Sequence, residues 1–309
     1  MSFSIDIQPV STFKRIRITD NSLNVHIDVI SKGGLLNSWV QANNWNIIDA
    51  NDFSNGWNDF ESNGFKSGKM SPFSCRLFNG QYSHLNKEYT IKKFYLGNHA
   101  LHGFIYDANF EVAETIIEEN YASVLLAFHY QKSDEGFPFE YTMQIKWSLF
   151  ENNQISVETI ITNKENTTIP MMDGWHPYFK LQENINNCSL QFNCEGILEY
   201  DEALIPTGKI LPDNTYKNKT TIGNASLDNG YLLDTNNPNC ILENDNYALV
   251  VRPDKNYSYL QLYTPPHRNS IAIENLSAAP DCFNNKMGLH LLQPQEVWTL
   301  TTQYQLMTK

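Results

Sequence analysis

The sequence predicts an all-β protein, and three observations predict it. Short runs rich in β-branched and aromatic residues alternate with period two, asparagine-rich strings separate them, and no segment longer than about ten residues holds a clean helical stripe. In chain order the runs are KRIRI (14–18), LNVHIDVI (23–30), YASVLLAFHY (121–130), YTMQIKWSL (141–149) and QISVETIIT (154–162). After a less regular middle come YALVVRP (247–253), YLQLYT (259–264), SIAIEN (270–275) and VWTLTTQYQL (297–306). Side chains of a strand point alternately to its two faces, so a one-sided sheet writes this alternation into its sequence. Glycine is scarce, at 15, and asparagine tolerates the left-handed backbone nearly as well. The strings ENNQ (151–154), DTNNPN (234–239) and ENDN (243–246) therefore read as hairpin turns. No linker, charge block or internal repeat divides the chain, and residues 1–309 read as one domain.

Lys plus Arg number 22 against 34 Asp plus Glu, a formal charge of -12, which argues against nucleic acid as a partner because phosphate backbones need a cationic face. No window approaches the roughly 18 apolar residues of a membrane span. The start, MSFSIDIQPV, lacks the basic and apolar regions of a signal peptide, so the expectation is a cytoplasmic protein that does not engage membranes. Five scattered cysteines without a CxxC pair suggest buried thiols rather than disulfides or a metal cluster, and no histidine pair has metal-ligand spacing with a third ligand nearby; a metal is not expected.

Three clusters set ionisable groups beside Gly, Pro and aromatics: NHALHGFIYD (98–107), MMDGWHPYFKL (171–181) and YLQLYTPPHRNSIAIENLSAAPDCFNN (259–285). In the second, Trp175, Tyr178 and Phe179 flank His176; aromatic rings beside an imidazole suit a sugar pocket, since pyranose C–H faces are apolar, but composition alone favours an ordinary core. In the third, Glu274 alternates with Ile271 and Ile273 and stands opposite them. It reads either as a solvated strand end or as a general base with a pKa raised by burial.

The clusters, in this order and spacing, resemble the aldose 1-epimerase (galactose mutarotase) family over about Asn24 to Gln305. SPFSCRLFNGQY (71–82) followed by ALHGF (100–104), then HPYFKL (176–181), LDNGYLL (227–233), QLYT (261–264) and ENLSAAPDCFN (274–284) are similar to its motifs. The resemblance implies a large antiparallel β-supersandwich with an open cleft and the interconversion of α and β anomers of a free sugar without a cofactor. Residue by residue it implies Glu274 as general base, His176 as general acid, Arg76 and His102 as the polar pair orienting the sugar, and Asp228 and Gln261 as binders of remote hydroxyls. Asp228 in LDNG could instead serve an Asx turn, and Gln261 a cross-strand pair.

The chemistry agrees with that implication. Opening a cyclic hemiacetal removes the proton on O1 and adds one to the ring oxygen, and closure reverses both, so one acid and one base at the anomeric carbon suffice. Reference pKa values of about 4.3 and 6.5 give Glu⁻ with a fraction of His⁺ near neutrality, and a bell-shaped profile with its acidic limb from the carboxylate and its basic limb from the imidazole. Close sugar mutarotases carry Asn before the Arg and a second Gly after the His; Cys75 and Phe104 stand at those positions, which bears on which sugar binds. Two other readings are an epimerase of a phosphorylated hexose, with Lys66, Lys69 and Arg268 as the cations near the motifs, and a non-catalytic carbohydrate-binding sandwich.

Overall fold

The computed structural model describes residues 2–54, 56–182 and 184–309. Its main layer is a nine-stranded antiparallel sheet, in the spatial order Glu111–Ile117, Tyr121–Tyr130, Tyr141–Phe150, Gln154–Asn163, Val297–Thr308, Tyr247–Pro253, Cys240–Glu243, Ser189–Phe192 and Thr220–Thr221. The alternation seen in the sequence is its cause. Along Gln154–Asn163, Ile155, Val157, Thr159, Ile161 and Asn163 are buried and the residues between them are partly exposed, so one face is core and the other faces water.

Facing this broad sheet is a second one, here the cleft sheet. Its order is Pro206–Leu211, Cys194–Tyr200, Asp228–Leu233, Tyr259–Tyr263, Ile271–Leu276, Gly174–Trp175 and Lys69–Met70, and Tyr178–Phe179 also pairs with Ile271–Leu276. Trp147 of the broad sheet meets Trp175 edge to face at 5.4 Å, and Tyr304 meets Phe179 at 5.6 Å. A four-stranded meander, Phe3–Val10, Phe13–Asp20, Val25–Ile30 and Leu35–Val40, covers more of the broad sheet, where the Trp147 indole donates to the Gly34 carbonyl at 2.8 Å. Among the described residues the one α-helix is Cys282–Asn285. The antiparallel supersandwich architecture is thus borne out.

Two of the three asparagine strings do close hairpins. At 151–154, Asn152 and Asn153 take φ of 62° and 58° between two broad-sheet strands, and at 243–246 the Asn244 carboxamide accepts from the amides of Asn246 and Tyr247. The third does not: DTNNPN leaves the cleft sheet at Leu233 and enters the broad sheet at Cys240, so it is a crossover between layers. Turn chemistry shows where a chain reverses but not which sheet receives it.

Candidate active site

The cleft-sheet strand Ile271–Leu276 is buried at all six positions, covered on both faces, and this decides the open reading of Glu274. Its carboxylate is 2% exposed and is no solvated strand end. Burial, with Asp228 nearby, pushes its pKa well above the usual carboxylate range. Next to it stands His176. The backbone of His176 is gripped on both sides, its N–H donating to the Gly68 carbonyl at 3.1 Å and its carbonyl accepting from Ser67 at 2.8 Å. Its ring stacks on Tyr178, with centroids 4.9 Å apart and planes 8° from parallel. His176 Nδ1 lies 3.4 Å from Glu274 Oε1, without the alignment of a hydrogen bond. Nδ1 and Glu274 Oε2 are both buried polar atoms with no protein partner.

Burial lowers the His176 pKa to about 4. The expectation of a carboxylate facing an imidazolium, made from reference values, is therefore corrected: removed from water, the uncharged form of each group is favoured. The flanking aromatics divide between the two readings open to them. Trp175 and Phe179 go to the core between the sheets, whereas Tyr178 lines the cleft.

Arg76 and His102 arrive together because Leu101 pairs with Arg76 in register, which sets His102 beside Cys75. His102 N–H donates to the Cys75 carbonyl at 3.0 Å, and Cys75 N–H donates to His102 Nδ1 at 3.2 Å. Gly103 follows with φ of 69°, and a Cβ there would stand 2.1 Å from the Ser71 carbonyl oxygen, so the Leu-His-Gly sequence needs its glycine for this close approach. Burial, together with His176 and Arg76, holds the His102 pKa well below that of a free imidazole.

Gln261 is the cross-strand partner of Glu274, and it donates from Nε2 to Asp228 Oδ1 at 2.9 Å. Asp228 opens the strand Asp228–Leu233 rather than an Asx turn, and it is exposed. Partial desolvation raises its pKa, opposed by Arg76 and by the Gln261 bond.

All six residues singled out by sequence, with Cys75, line one cleft of about 330 Å³. Phe65, Phe94, Leu96 and Leu101 give it an apolar wall. Sequence reasoning missed that wall, together with Glu61, Tyr200 and Tyr263. The two departures from the mutarotase pattern now separate. Phe104 is buried in the core, stacked on Tyr130 at 5.0 Å, whereas Cys75 borders the cleft.

The three cations near the motifs lie elsewhere. Lys69 is wholly buried, paired with Asp173, bonded to Thr159 Oγ1 at 3.0 Å and set 4.2 Å over the Trp175 ring. Lys66 pairs with Asp49 at 3.1 Å, and Arg268 is bonded to Asn186 and to the carbonyls of Gly223 and Ala225. Among the described lining residues Arg76 is the one Lys or Arg, against the carboxyl groups of Glu61, Asp228 and Glu274. No group of three or more His, Cys, Asp or Glu side chains among the described residues is placed to hold a metal ion. No described helix is long and apolar enough to cross a membrane.

The molecule is thus a two-sheet antiparallel β protein with a carboxyl and an imidazole side by side in one open cleft. The chain belongs to the aldose 1-epimerase family, whose model matches residues 14–305. A galactose mutarotase-like protein from Clostridium acetobutylicum has the same fold, with a TM-score of 0.87 at 19% identity over 100% of this chain and 99% of that one. So does a galactose 1-epimerase from Lactobacillus acidophilus, with a TM-score of 0.83 at 18% identity over 99% and 98% of the two chains. The chain is also 23% identical over 229 residues to YihR, an uncharacterised protein of Escherichia coli, covering 72% of this chain and 73% of that protein.

Proposed function

We propose that this protein interconverts the α and β anomers of a free, unphosphorylated aldose, using Glu274 and His176 as a proton-exchanging pair. The observation that carries the reading is the 3.4 Å approach of the two side chains, each with a buried polar atom lacking a protein partner, at the floor of the cleft. The two oxygens whose protons must change in mutarotation are bonded to one carbon, so the acid and base need to stand side by side. In the Glu⁻–His⁺ arrangement of the one-proton pair, reached by moving the Glu274 proton to His176, Glu274 takes the O1 proton and His176 gives one to the ring oxygen; closure on the other face of C1 reverses both transfers, so the pair ends with the proton count it began with. His102 and Arg76 orient the sugar, and Asp228 and Gln261 bind its remote hydroxyls. The apolar wall takes the C–H face of the pyranose.

The phosphorylated alternative is disfavoured by the lining, since Arg76 is its one described Lys or Arg and is offset by the carboxyl groups of Glu61 and Asp228. Polarimetry of freshly dissolved α-glucose and α-galactose, with spontaneous mutarotation subtracted and the 6-phosphates run in parallel, tests the proposal. The expected result is faster relaxation of at least one free sugar and a fall of about 10² or more in kcat for Glu274→Gln with binding retained. Relaxation of no free aldose beyond the buffer rate, or a Glu274→Gln variant as fast as the parent, overturns it.

A further inference from the structure

Tyr200 lies in the strand Cys194–Tyr200, outside every motif noted in the sequence, yet it borders the cleft. Its hydroxyl donates to Gln261 Oε1 at 3.1 Å, while the other end of the same carboxamide donates to Asp228 Oδ1 at 2.9 Å. The three side chains form one directed chain of donors, phenol to amide to carboxylate. Its direction is set at the far end, because an ionised Asp228 can only accept, so Gln261 must turn its NH₂ toward Asp228 and its oxygen toward Tyr200.

The backbone is shaped for this reach. Between the strands of Tyr200 and Gln261 runs Asp228–Leu233, and its residue in register with Gln261 is Gly230. A Cβ on Gly230 would stand 2.4 Å from the Tyr200 hydroxyl. The missing side chain is the space through which the phenol passes over one strand to meet a residue on the next.

We infer that Tyr200 is a positioning residue: acting through Gln261, it fixes the Asp228 carboxylate and leaves Oδ2 as the acceptor offered to a sugar hydroxyl. This rests on the proposed epimerase reading for its sugar, but not for its geometry. A Gln261 amide held at both ends keeps Nε2 aimed at Asp228. Without the phenol, one end is a buried acceptor with no partner, and the amide is free to swing away from the carboxylate. Besides Tyr200 itself, the charged or titratable groups that act on Asp228 or feel it are Arg76, Glu274, Cys75, Tyr178 and Tyr263, and Tyr200→Phe replaces none of them.

The test uses the full chain and two readouts. In the first, the Asp228 carboxyl is titrated by ¹³C NMR in the parent and in Tyr200→Phe, the signal being assigned with Asp228→Asn. Loss of the aimed donor raises the Asp228 pKa by about half a pH unit or more; an unchanged pKa overturns the inference. In the second, on the aldose that the parent turns over, Tyr200→Phe raises KM about three- to tenfold and leaves kcat within about twofold. In a Gln261→Leu background the same substitution adds nothing to KM. A penalty that persists there means that the phenol touches the sugar itself, which also overturns the relay. If the parent epimerises no aldose, the functional proposal falls while the titration still decides the relay.

Discussion

His102 and Cys75 hold each other by two hydrogen bonds, each residue donating its amide to the other, one bond to a carbonyl and one to the imidazole Nδ1. Because Nδ1 accepts, a neutral His102 must carry its proton on Nε2, and burial keeps it neutral. A backbone amide thereby turns the ring into a fixed donor aimed from the cleft wall.

His102→Asn and His102→Gln separate the two ends of that ring. Asn can place an oxygen near the position of Nδ1 and keep the Cys75 bond while losing the donor. Its thermal midpoint should stay close to the parent's while KM rises about tenfold, the worth of one hydrogen bond to substrate. Gln can keep a donor near the position of Nε2 but strands the Cys75 amide, so it should melt earlier. Steady-state kinetics with thermal scans checks the pair, and equal behaviour of the two variants would contradict the tautomer assignment.

The pH profile should be bell-shaped with its limbs exchanged relative to reference pKa values. Glu⁻ with His⁺ and neutral Glu with neutral His carry the same single proton, and burial favours the second arrangement. The one-proton pair is the working form. Falling pH adds a second proton to His176, so the acidic limb should lie near 4; rising pH strips the Glu274 carboxyl, so the basic limb belongs to a carboxyl titrating well above 4.5. Plots of log kcat/KM against pH for the parent and for His176→Asn check this. Persistence of the limb near 4 in His176→Asn would rule the assignment out.

Lys69 and Asp173 form a fully buried ion pair behind the segment that carries His176, with Tyr257 donating to Asp173 at 2.7 Å. Lys69→Met should cost about 3–5 kcal/mol at neutral pH, because it strands a carboxylate in the core. Burial already raises the Asp173 pKa, and removing the ammonium raises it further. A group whose folded pKa exceeds its unfolded value stabilises below the unfolded pKa and loses that contribution as pH rises, so the deficit should shrink toward acid pH. It should also shrink when Asp173→Asn is added. Urea unfolding at two pH values measures both effects, and a Lys69→Met variant as stable as the parent would falsify this account.

The sheets were legible where one face is wet. Gln154–Asn163 and Val297–Thr308 announce themselves because buried, mostly apolar residues recur at every second position. Strands that break the pattern were missed: Pro206–Leu211 is a largely exposed edge, and Asp228–Leu233 begins with the turn-like residues LDNG. The site was legible as far as its motifs extend, because each motif fixes a local turn, as Gly103 does beside Ser71. Tyr200 was not, since its reach to Gln261 depends on register across three strands and on the gap at Gly230. Protonation was misjudged for a related reason. A reference pKa describes a group in water, and only the folded chain shows that His176 and Glu274 have left it.

The strand Val297–Thr308 is the fifth of nine in the broad sheet, wedged between Gln154–Asn163 and Tyr247–Pro253. It is also the last of the nine to leave the ribosome. Until it arrives, Gln154–Asn163 and Tyr247–Pro253 lack the partner between them, and each has a row of amides and carbonyls without its ladder, the kind of edge that templates pairing between chains. Synthesis therefore leaves the middle of the broad sheet unfilled until the end, and the interval just before that strand emerges is the one in which these edges are open to pairing between chains.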